Sequence, residues 1–274
     1  MITAAPSLVL RGGVRIPQVG LGVFRTPSGA ETRRVVREAL ACGYRHIDTA
    51  RVYGNEADVA EGIREAGVPR GEVFVTTKIG NDDQGYEQTL RACEAALARM
   101  RFDHVDLLLL HWPVAGKRLD SWRALERLRA EGRARAIGVS NFMPHHLEEL
   151  LADCKEVPSV NQVELSPFLQ QRELRARCAA HGIAVEAYSP LTKGARLAHP
   201  VVVGVAGALG ATPAQVLLRW GLEKGLVVLP KSTHPGRLAE NLAASEFALT
   251  PEAMAALDGL EEGLVTGWDP RWAP

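Results

Sequence analysis

Cysteine is scarce in this 274-residue sequence, and none of its four cysteines stands in a C-x-x-C spacing. Scattered thiols argue against a zinc knuckle or a disulfide framework and are typical of a reducing compartment. They are Cys42, Cys93, Cys154 and Cys178. The opening residues MITAAPSLVLRGG also lack a basic segment followed by a long apolar one, so we expect no signal peptide and a cytoplasmic protein.

An excess of charge of either sign is absent too, because 32 basic residues balance 32 acidic ones without a long run of one sign. We therefore expect no nucleic acid and no membrane as partner, and a small molecule as ligand. Long hydrophobic runs are also missing. The longest uncharged stretch, 197–218, is interrupted by Pro200, Pro213 and glycines, which predicts two short buried elements and not a membrane span.

The sequence does contain a regular alternation of short apolar runs with segments of helical periodicity. Residues 8–16, around Gly12-Gly13, predict a small hairpin ahead of the main body. Helical segments such as 85–100, 119–132 and 144–154 separate most of the later strand candidates. The strand candidates are VGLGVF, YRHID, EVFVTTK, HVDLLLLHW, ARAIGVS, SVNQVEL, IAVEAYS and LVVLPKS.

Strands that each precede a helix, without an obvious linker, predict a single domain over residues 1–274 folded as a (β/α)8 TIM barrel. In the first unit Ser28 is the expected cap of the helix and Gly43 its stop. The competing architecture is an open doubly wound sheet, but the sequence contains no G-x-G-x-x-G.

Polar residues close most of the apolar strands, and the active sites of such barrels lie at the carboxyl ends of the strands. The strand-end residues are Asp48, Lys78, His111, Ser140 with Asn141, Tyr188 and Lys231, while Gln162 lies within the sixth strand. If the barrel is correct, these side chains meet at one mouth.

Four residues near the strand ends suggest proton transfer to an oxygen. The phenol of Tyr53 has a pKa near ~10 in water, and the ammonium of Lys78 beside it would favour the phenolate. Asp48 would keep Lys78 charged, and His111 would hydrogen-bond a substrate oxygen. Taken singly, each residue more often has an ordinary role, Asp48 as a helix cap, Lys78 and Tyr53 as surface groups and His111 as a core histidine. All four at or just beyond strand ends favour the catalytic interpretation.

Three ordered motifs, GYRHIDTARVYGNE, ARAIGVSNF and LPKSTHPGRLAEN, give the sequence its resemblance to the aldo-keto reductases. The resemblance covers nearly the whole chain, and within the family it is strongest to the bacterial branch that includes 2,5-diketo-D-gluconate reductases. It implies that Asp48, Tyr53, Lys78 and His111 are the catalytic tetrad, with Tyr53 as proton donor and a nicotinamide as hydride donor. Relatives that reduce a steroid carbon-carbon double bond carry glutamate at the position of His111, so the resemblance implies carbonyl reduction.

The last motif also suggests a phosphate site, because Ser232 and Thr233 precede a helix and Lys231 and Arg237 add cations. On charge alone, a solvated basic helix start is the alternative. The resemblance implies NADPH, with NADH bound more weakly. By resemblance the cofactor contacts are Gly22, Val23, Ser140, Asn141, Gln162, Tyr188, Ser189, Leu191, Lys231, Ser232, Thr233, Arg237, Glu240 and Asn241.

The substrate is expected to contact Phe24, Trp112, Tyr53 and His111. Gly80 stands where many members of the family have tryptophan, which removes an apolar wall from the pocket. We expect the carboxyl-terminal tail, with Trp268 and Trp272, to lie near the barrel mouth.

Two other functions are alternatives. One is a non-catalytic relative that binds NADPH in a structural or regulatory role. The other is a metal-dependent barrel hydrolase, which would need clustered ligands such as H-x-H, whereas His145 and His146 are neighbours at a helix start. We expect no metal, and a monomer.

Overall fold

Helices and strands alternate along residues 6–273, which a computed structural model describes, apart from the side chain of Trp272. The strands are β1 Ser7–Val9, β2 Arg15–Pro17, β3 Leu21–Gly22, β4 His46–Asp48, β5 Phe74–Ile79, β6 Val105–Leu110, β7 Ala134–Ser140, β8 Val160–Glu164, β9 Ala184–Tyr188 and β10 Val227–Leu229. The helices are α1 Ala30–Ala41, α2 Glu56–Glu65, α3 Tyr86–Met100, α4 Arg118–Ala130, α5 Pro144–Asp153, α6 Arg172–Ala180, α7 Pro200–Leu209, α8 Pro213–Glu223, α9 Pro235–Leu242 and α10 Pro251–Asp258.

The strands from β3 to β10 form one parallel sheet in chain order. The sheet closes on itself because Val228 N donates to Gln18 O at 2.7 Å and Gly20 N donates to Val228 O at 2.9 Å. All six residues of β6 (VDLLLL) are buried, as expected for a parallel strand that is covered on both faces. The predicted (β/α)8 barrel is confirmed.

The amino-terminal hairpin, β1 with β2, covers one end of the barrel. Its turn uses Gly12 and Gly13 at φ 83° and 82°, a conformation that glycine adopts without strain. Apolar side chains of the hairpin segment pack against strand residues inside the amino-terminal end of the barrel. This cluster contains Leu10, Val14, Ile16, Phe74, Leu107, Leu109, Ala136, Val160 and Val227. Burying side chains of this size contributes about 1.5–3 kcal/mol each. The hairpin thus covers the barrel at the amino-terminal ends of its strands, whereas it leaves the carboxyl-terminal ends uncovered.

Element boundaries agree closely with the sequence interpretation, with one error. Ser28 is not the cap of α1, which begins after Gly29 at φ 91°. The Gly29 N–H donates to Asp58 Oδ2 at 2.7 Å, so a side chain from α2 takes the place of a local cap.

The uncharged stretch 197–218 folds into α7 and α8, of which α8 is mostly buried while Val203 on α7 is exposed. Within the described residues no single helix has the length and apolar character needed to cross a membrane. Only the α7 and α8 pair, bent by 88°, meets that test jointly.

Candidate active site

The barrel brings the four proposed catalytic residues together at its carboxyl end. Asp48 is the last residue of β4, Lys78 lies near the end of β5, and His111 directly follows β6. Tyr53 ends a short 3-10 turn, 51–53, between β4 and α2. The parallel barrel explains this convergence, because every strand of such a barrel ends on the same face.

Lys78 and Asp48 form a buried ion pair at the centre of this group. The Lys78 ammonium lies 2.7 and 2.8 Å from the two carboxylate oxygens of Asp48 and 3.0 Å from Thr49 O. Burial is the largest single effect and opposes the charged ammonium, but the combined attraction to Asp48, Tyr53 and Glu186 outweighs it, so the pKa of Lys78 is raised. The ammonium therefore stays charged at neutral pH.

The Tyr53 hydroxyl lies 3.4 Å from Lys78 Nζ. Burial raises the pKa of the phenol, while the positive charge of Lys78 lowers it without cancelling the effect of burial. As expected, Lys78 by itself lowers the pKa of Tyr53 and so favours the phenolate. Burial has the larger effect, and the pKa of Tyr53 is raised overall. Tyr53 is therefore protonated at neutral pH, which is the form that can donate a proton.

His111 faces Tyr53 edge-on, with ring centroids 5.8 Å apart. Burial and the nearby Lys78 charge lower the pKa of His111 to about 3. The imidazole is therefore neutral at physiological pH, and its N–H can donate a hydrogen bond to an oxygen without adding a charge.

A second group of predicted residues forms a hydrogen-bonded network beside the tetrad. Tyr188 OH donates to Asn141 Oδ1 at 2.8 Å, and Asn141 Nδ2 donates to His111 O at 3.0 Å. Ser140 Oγ donates to Gln162 O at 2.8 Å. These contacts fix three polar side chains at the ends of β7 and β9.

The Gln162 amide joins this network to the tetrad. Its Nε2 donates to Asp48 Oδ2 at 2.9 Å and to Glu186 Oε2 at 2.6 Å. No described residue donates to its Oε1, so this amide oxygen is available to a ligand.

Four further predicted cofactor contacts, Gly22, Val23, Ser189 and Leu191, are characterised by their backbone. Gly22 N donates to Pro230 O at 3.1 Å and Val23 N donates to Asp48 O at 3.1 Å. Ser189, in the loop with Leu191 after β9, has φ 49°, in the left-handed region. Such backbone is uncommon for residues other than glycine and is frequent at binding loops.

The predicted phosphate residues lie between β10 and the first turns of α9. Lys231 and Arg237 are exposed, and neither forms an ion pair within residues 6–273. Ser232 Oγ accepts from His234 N at 3.1 Å, and the carbonyl of Thr233 accepts from Arg34 at 3.2 Å. Arg34, on α1, was missed because its proximity to this segment arises from barrel closure.

The two residues predicted to face an adenine differ in exposure. Glu240 is half-buried and accepts from Thr212 Oγ1 at 2.7 Å, which ties α9 to the start of α8. Asn241 is buried on the inner side of α9. One Glu240 carboxylate oxygen is thus already engaged.

Aromatic side chains line the outer mouth. Phe24 is 48% exposed with its ring 5.0 Å from that of Tyr53, and Trp112 lies edge-on to Trp268 at 4.8 Å. The carboxyl-terminal tail therefore reaches the mouth, as expected. A side chain at Gly80 would meet Asp83 Oδ2 at 3.1 Å and Val52 Cγ1 at 3.5 Å, so Val52 forms a small apolar wall there.

The tail is held by Glu164, which the sequence interpretation missed. This buried residue at the end of β8 accepts from Thr266 N at 2.9 Å, from Thr266 Oγ1, and from Gly267 N at 3.1 Å. Lys193, in the loop after β9, donates to Thr266 O at 2.5 Å. The available signal was a charged residue at the end of the strand candidate SVNQVEL.

The described residues contain no group of three or more His, Cys, Asp or Glu side chains able to hold a metal ion. His145 and His146 have ring centroids 3.8 Å apart, and His146 Nε2 lies 3.0 Å from Ala273 O. These histidines contact the carboxyl-terminal segment.

Comparison with known proteins agrees with this arrangement. Residues 18–262 match the sequence model described as the Aldo/keto reductase family. The 9,11-endoperoxide prostaglandin H2 reductase of Trypanosoma cruzi (strain CL Brener) is 51% identical over 266 residues, or 96% of this chain and 94% of that protein. The glyoxal reductase of Bacillus subtilis (strain 168) is 48% identical over 261 residues, or 95% of each.

Among solved structures, the Bombyx mori aldo-keto reductase in complex with NADP has a TM-score of 0.92 at 35% identity. The match covers 98% of this chain and 97% of that one. The three sequence motifs, the barrel and these comparisons lead to one conclusion: the chain belongs to the aldo/keto reductase family.

Proposed function

We propose that this protein is an NADPH-dependent reductase of aldehydes and ketones, with Asp48, Tyr53, Lys78 and His111 as its catalytic residues. The observation that carries the proposal is the Tyr53 phenol, 3.4 Å from a buried ammonium that both oxygens of Asp48 hold. A protonated phenol beside a fixed positive charge is suited to give a proton to an oxygen that becomes negative.

A bound reduced nicotinamide supplies hydride to the carbonyl carbon. Tyr53 gives its proton to the carbonyl oxygen, and the charge of Lys78 stabilises the phenolate that remains. Neutral His111 donates a hydrogen bond to the same oxygen and orients it. Asp48 keeps Lys78 charged and in place.

The residues present fit a nicotinamide dinucleotide. Gln162 offers a side-chain carbonyl oxygen that no described residue uses, and Ser140 and Asn141 are fixed beside it, which suits an amide ligand. Tyr188 is placed by its bond to Asn141 and has a broad face for a flat ring.

At the other end of the proposed cofactor site, the exposed Lys231 and Arg237 suit the phosphate end of the dinucleotide. The NADP complex of the Bombyx mori relative supports NADPH as the cofactor. Gly22, Val23, Ser189, Leu191, Ser232, Thr233, Glu240 and Asn241 stay predicted contacts.

The side chains that line the barrel mouth indicate the class of substrate. Phe24 and Trp112 offer apolar walls, while Tyr53 and His111 offer the polar groups that hold a carbonyl oxygen. The glyoxal reductase relative supports small aldehydes and dicarbonyls as the first compounds to test, with keto-sugars next.

The proposal is tested by following NADPH oxidation by the purified protein with a panel of aldehydes, dicarbonyls and keto-sugars. We expect turnover with several of them, because the tetrad is assembled without a partner chain. NADPH binding without turnover across the panel would favour the non-catalytic alternative. Stoichiometric zinc in the purified protein would favour the hydrolase.

Replacing Arg237 by alanine is expected to weaken NADPH binding about tenfold to a hundredfold and to leave NADH binding nearly unchanged. The reason is that its exposed guanidinium, free of ion pairs within the described chain, is suited to the 2′-phosphate that NADH lacks. Dissociation constants from protein fluorescence measure both effects. Arg91→Ala, on the exposed face of α3, is the matched control. Equal weakening of both cofactors would contradict the phosphate role.

A cytoplasmic location, a monomeric state and the assignment of residues 1–274 to one domain remain predictions. Sedimentation velocity tests the second of these directly.

A further inference from the structure

Glu186 lies in the middle of β9 with a fully buried carboxyl group that the proposed mechanism does not use. It stands opposite Gln162 in the β8–β9 register. The Gln162 Nε2 that donates to Glu186 Oε2 at 2.6 Å also donates to Asp48 Oδ2 at 2.9 Å. One amide group therefore joins two buried carboxyl groups, one of which belongs to the tetrad.

Within the described residues no lysine or arginine forms an ion pair with Glu186. The nearby Lys78 ammonium has three N–H donors, and its shortest contacts, at 2.7, 2.8 and 3.0 Å, are with Asp48 and Thr49 O. The β10 residues next to Glu186 in the sheet are Val227 and Val228, which bring no charge. The titratable groups around Glu186 are thus Asp48 and His46 on β4, Lys78 on β5 and, further out, Tyr53.

His46 is fully buried and faces the other Glu186 oxygen, with Nε2 3.5 Å from Oε1. Its Nδ1 lies 3.2 Å from Pro17 O, a group that can only accept, so Nδ1 carries the proton. Burial lowers the pKa of His46 to about 4, so Nε2 is an acceptor at neutral pH, and the Thr76 hydroxyl lies 3.1 Å from it as the donor. Glu186 Oε1 therefore receives no proton from His46, and it is buried without a hydrogen-bond partner among the described residues. An ionised carboxylate is costly to bury in that state, and protonation of Glu186 removes the charge.

We propose that Glu186 is a positioning residue that works in its protonated form, holding Gln162 against Asp48 and keeping a second negative charge away from Lys78 and Tyr53. This role rests on the proposed reductase function, although the protonation of Glu186 does not. Burial and repulsion from Asp48 support it, since together they raise the pKa of Glu186 to about 8.

The consequence for Tyr53 has a definite sign. An ionised Glu186 repels the phenolate and so acts to raise the pKa of the phenol, in the direction opposite to Lys78. Above the pKa of Glu186 the wild-type phenol is therefore harder to ionise than it would be beside a neutral residue. Reduction needs the phenol and the reverse oxidation needs the phenolate.

The test uses Glu186→Gln, because the glutamine amide is neutral and has nearly the shape of a protonated carboxyl, and its oxygen can accept from Gln162. We expect activity within about threefold of wild type at neutral pH. In the pH–rate profiles of wild type, reduction falls and alcohol oxidation rises at alkaline pH as Tyr53 ionises. In Glu186→Gln both of these changes should occur at a pH lower by about half a unit or more.

If Glu186 had only a structural role, Glu186→Gln would lower activity by the same factor at every pH and leave the alkaline transition where it is in wild type. That result would overturn the proposal. Glu186→Leu is the companion variant. It leaves a Gln162 N–H unpaired and is expected to lose activity already at neutral pH.

Infrared spectra test the protonation without any turnover. Near neutral pH, exposed carboxyl groups are ionised, so wild-type protein should show the C=O stretch of a protonated carboxylic acid that disappears above about pH 9 and is missing in Glu186→Gln. Absence of that band from wild type would refute the protonated state. A protein that shows the band but reduces no carbonyl would contradict only the proposed function.

Discussion

Tyr53→Phe is expected to lower kcat/KM for carbonyl reduction by roughly a hundredfold to ten-thousandfold, the usual contribution of a general acid. The change removes only the hydroxyl that lies 3.4 Å from Lys78 Nζ, and the ring can keep its contacts with Phe24 and His111. NADPH binding should stay close to wild type, because Tyr53 is not one of the proposed cofactor contacts. Steady-state kinetics and fluorescence titration measure the two quantities on the same preparation.

The matched control is Tyr86→Phe, which removes a phenolic hydroxyl at the start of α3, outside the barrel mouth. It should keep wild-type kinetics. A Tyr53→Phe protein that retains most of its turnover would rule out Tyr53 as the proton donor.

Lys78→Met is expected to lower reduction by a similar factor, roughly a hundredfold or more, and also to destabilise the fold by about 3–5 kcal/mol. Without the ammonium, burial raises the pKa of Tyr53 unopposed, which weakens the acid. At the same time Asp48 becomes a buried charge without its cation. Urea unfolding and kcat/KM report the two losses separately.

The double variant Asp48→Asn with Lys78→Met separates stability from catalysis. It removes both charges of the buried pair, so most of the lost stability should return. Activity should not return, because no cation remains beside Tyr53. Recovery of activity along with stability would show that Lys78 acts only as a structural residue.

The convergence of the tetrad could be predicted from the sequence because it follows from topology. Asp48, Lys78 and His111 each stand at or next to the end of an apolar strand, and in a parallel barrel all those ends share one face. The Lys78 and Asp48 pairing was likewise predictable from charge. The position of Tyr53 does not follow from strand topology alone, because it depends on the conformation of the turn after β4.

The net direction of the Tyr53 pKa could not be predicted, because it depends on the balance between burial and one positive charge. Sequence shows the charge but not the depth of the phenol. Glu164 and Glu186 were missed for a related reason. Each is a buried glutamate in a strand, and its partners lie on other strands or in the tail.

In the proposed reaction this chain moves hydride from NADPH to a carbonyl carbon while Tyr53 supplies the proton. The most direct measurement uses NADPH deuterated at C4 of the nicotinamide, a small dicarbonyl substrate and mass spectrometry of the alcohol product. We predict one deuterium on the carbinol carbon with wild-type protein and loss of nearly all labelled product with Tyr53→Phe. Wild-type protein that forms no labelled alcohol while it binds NADPH would contradict the account.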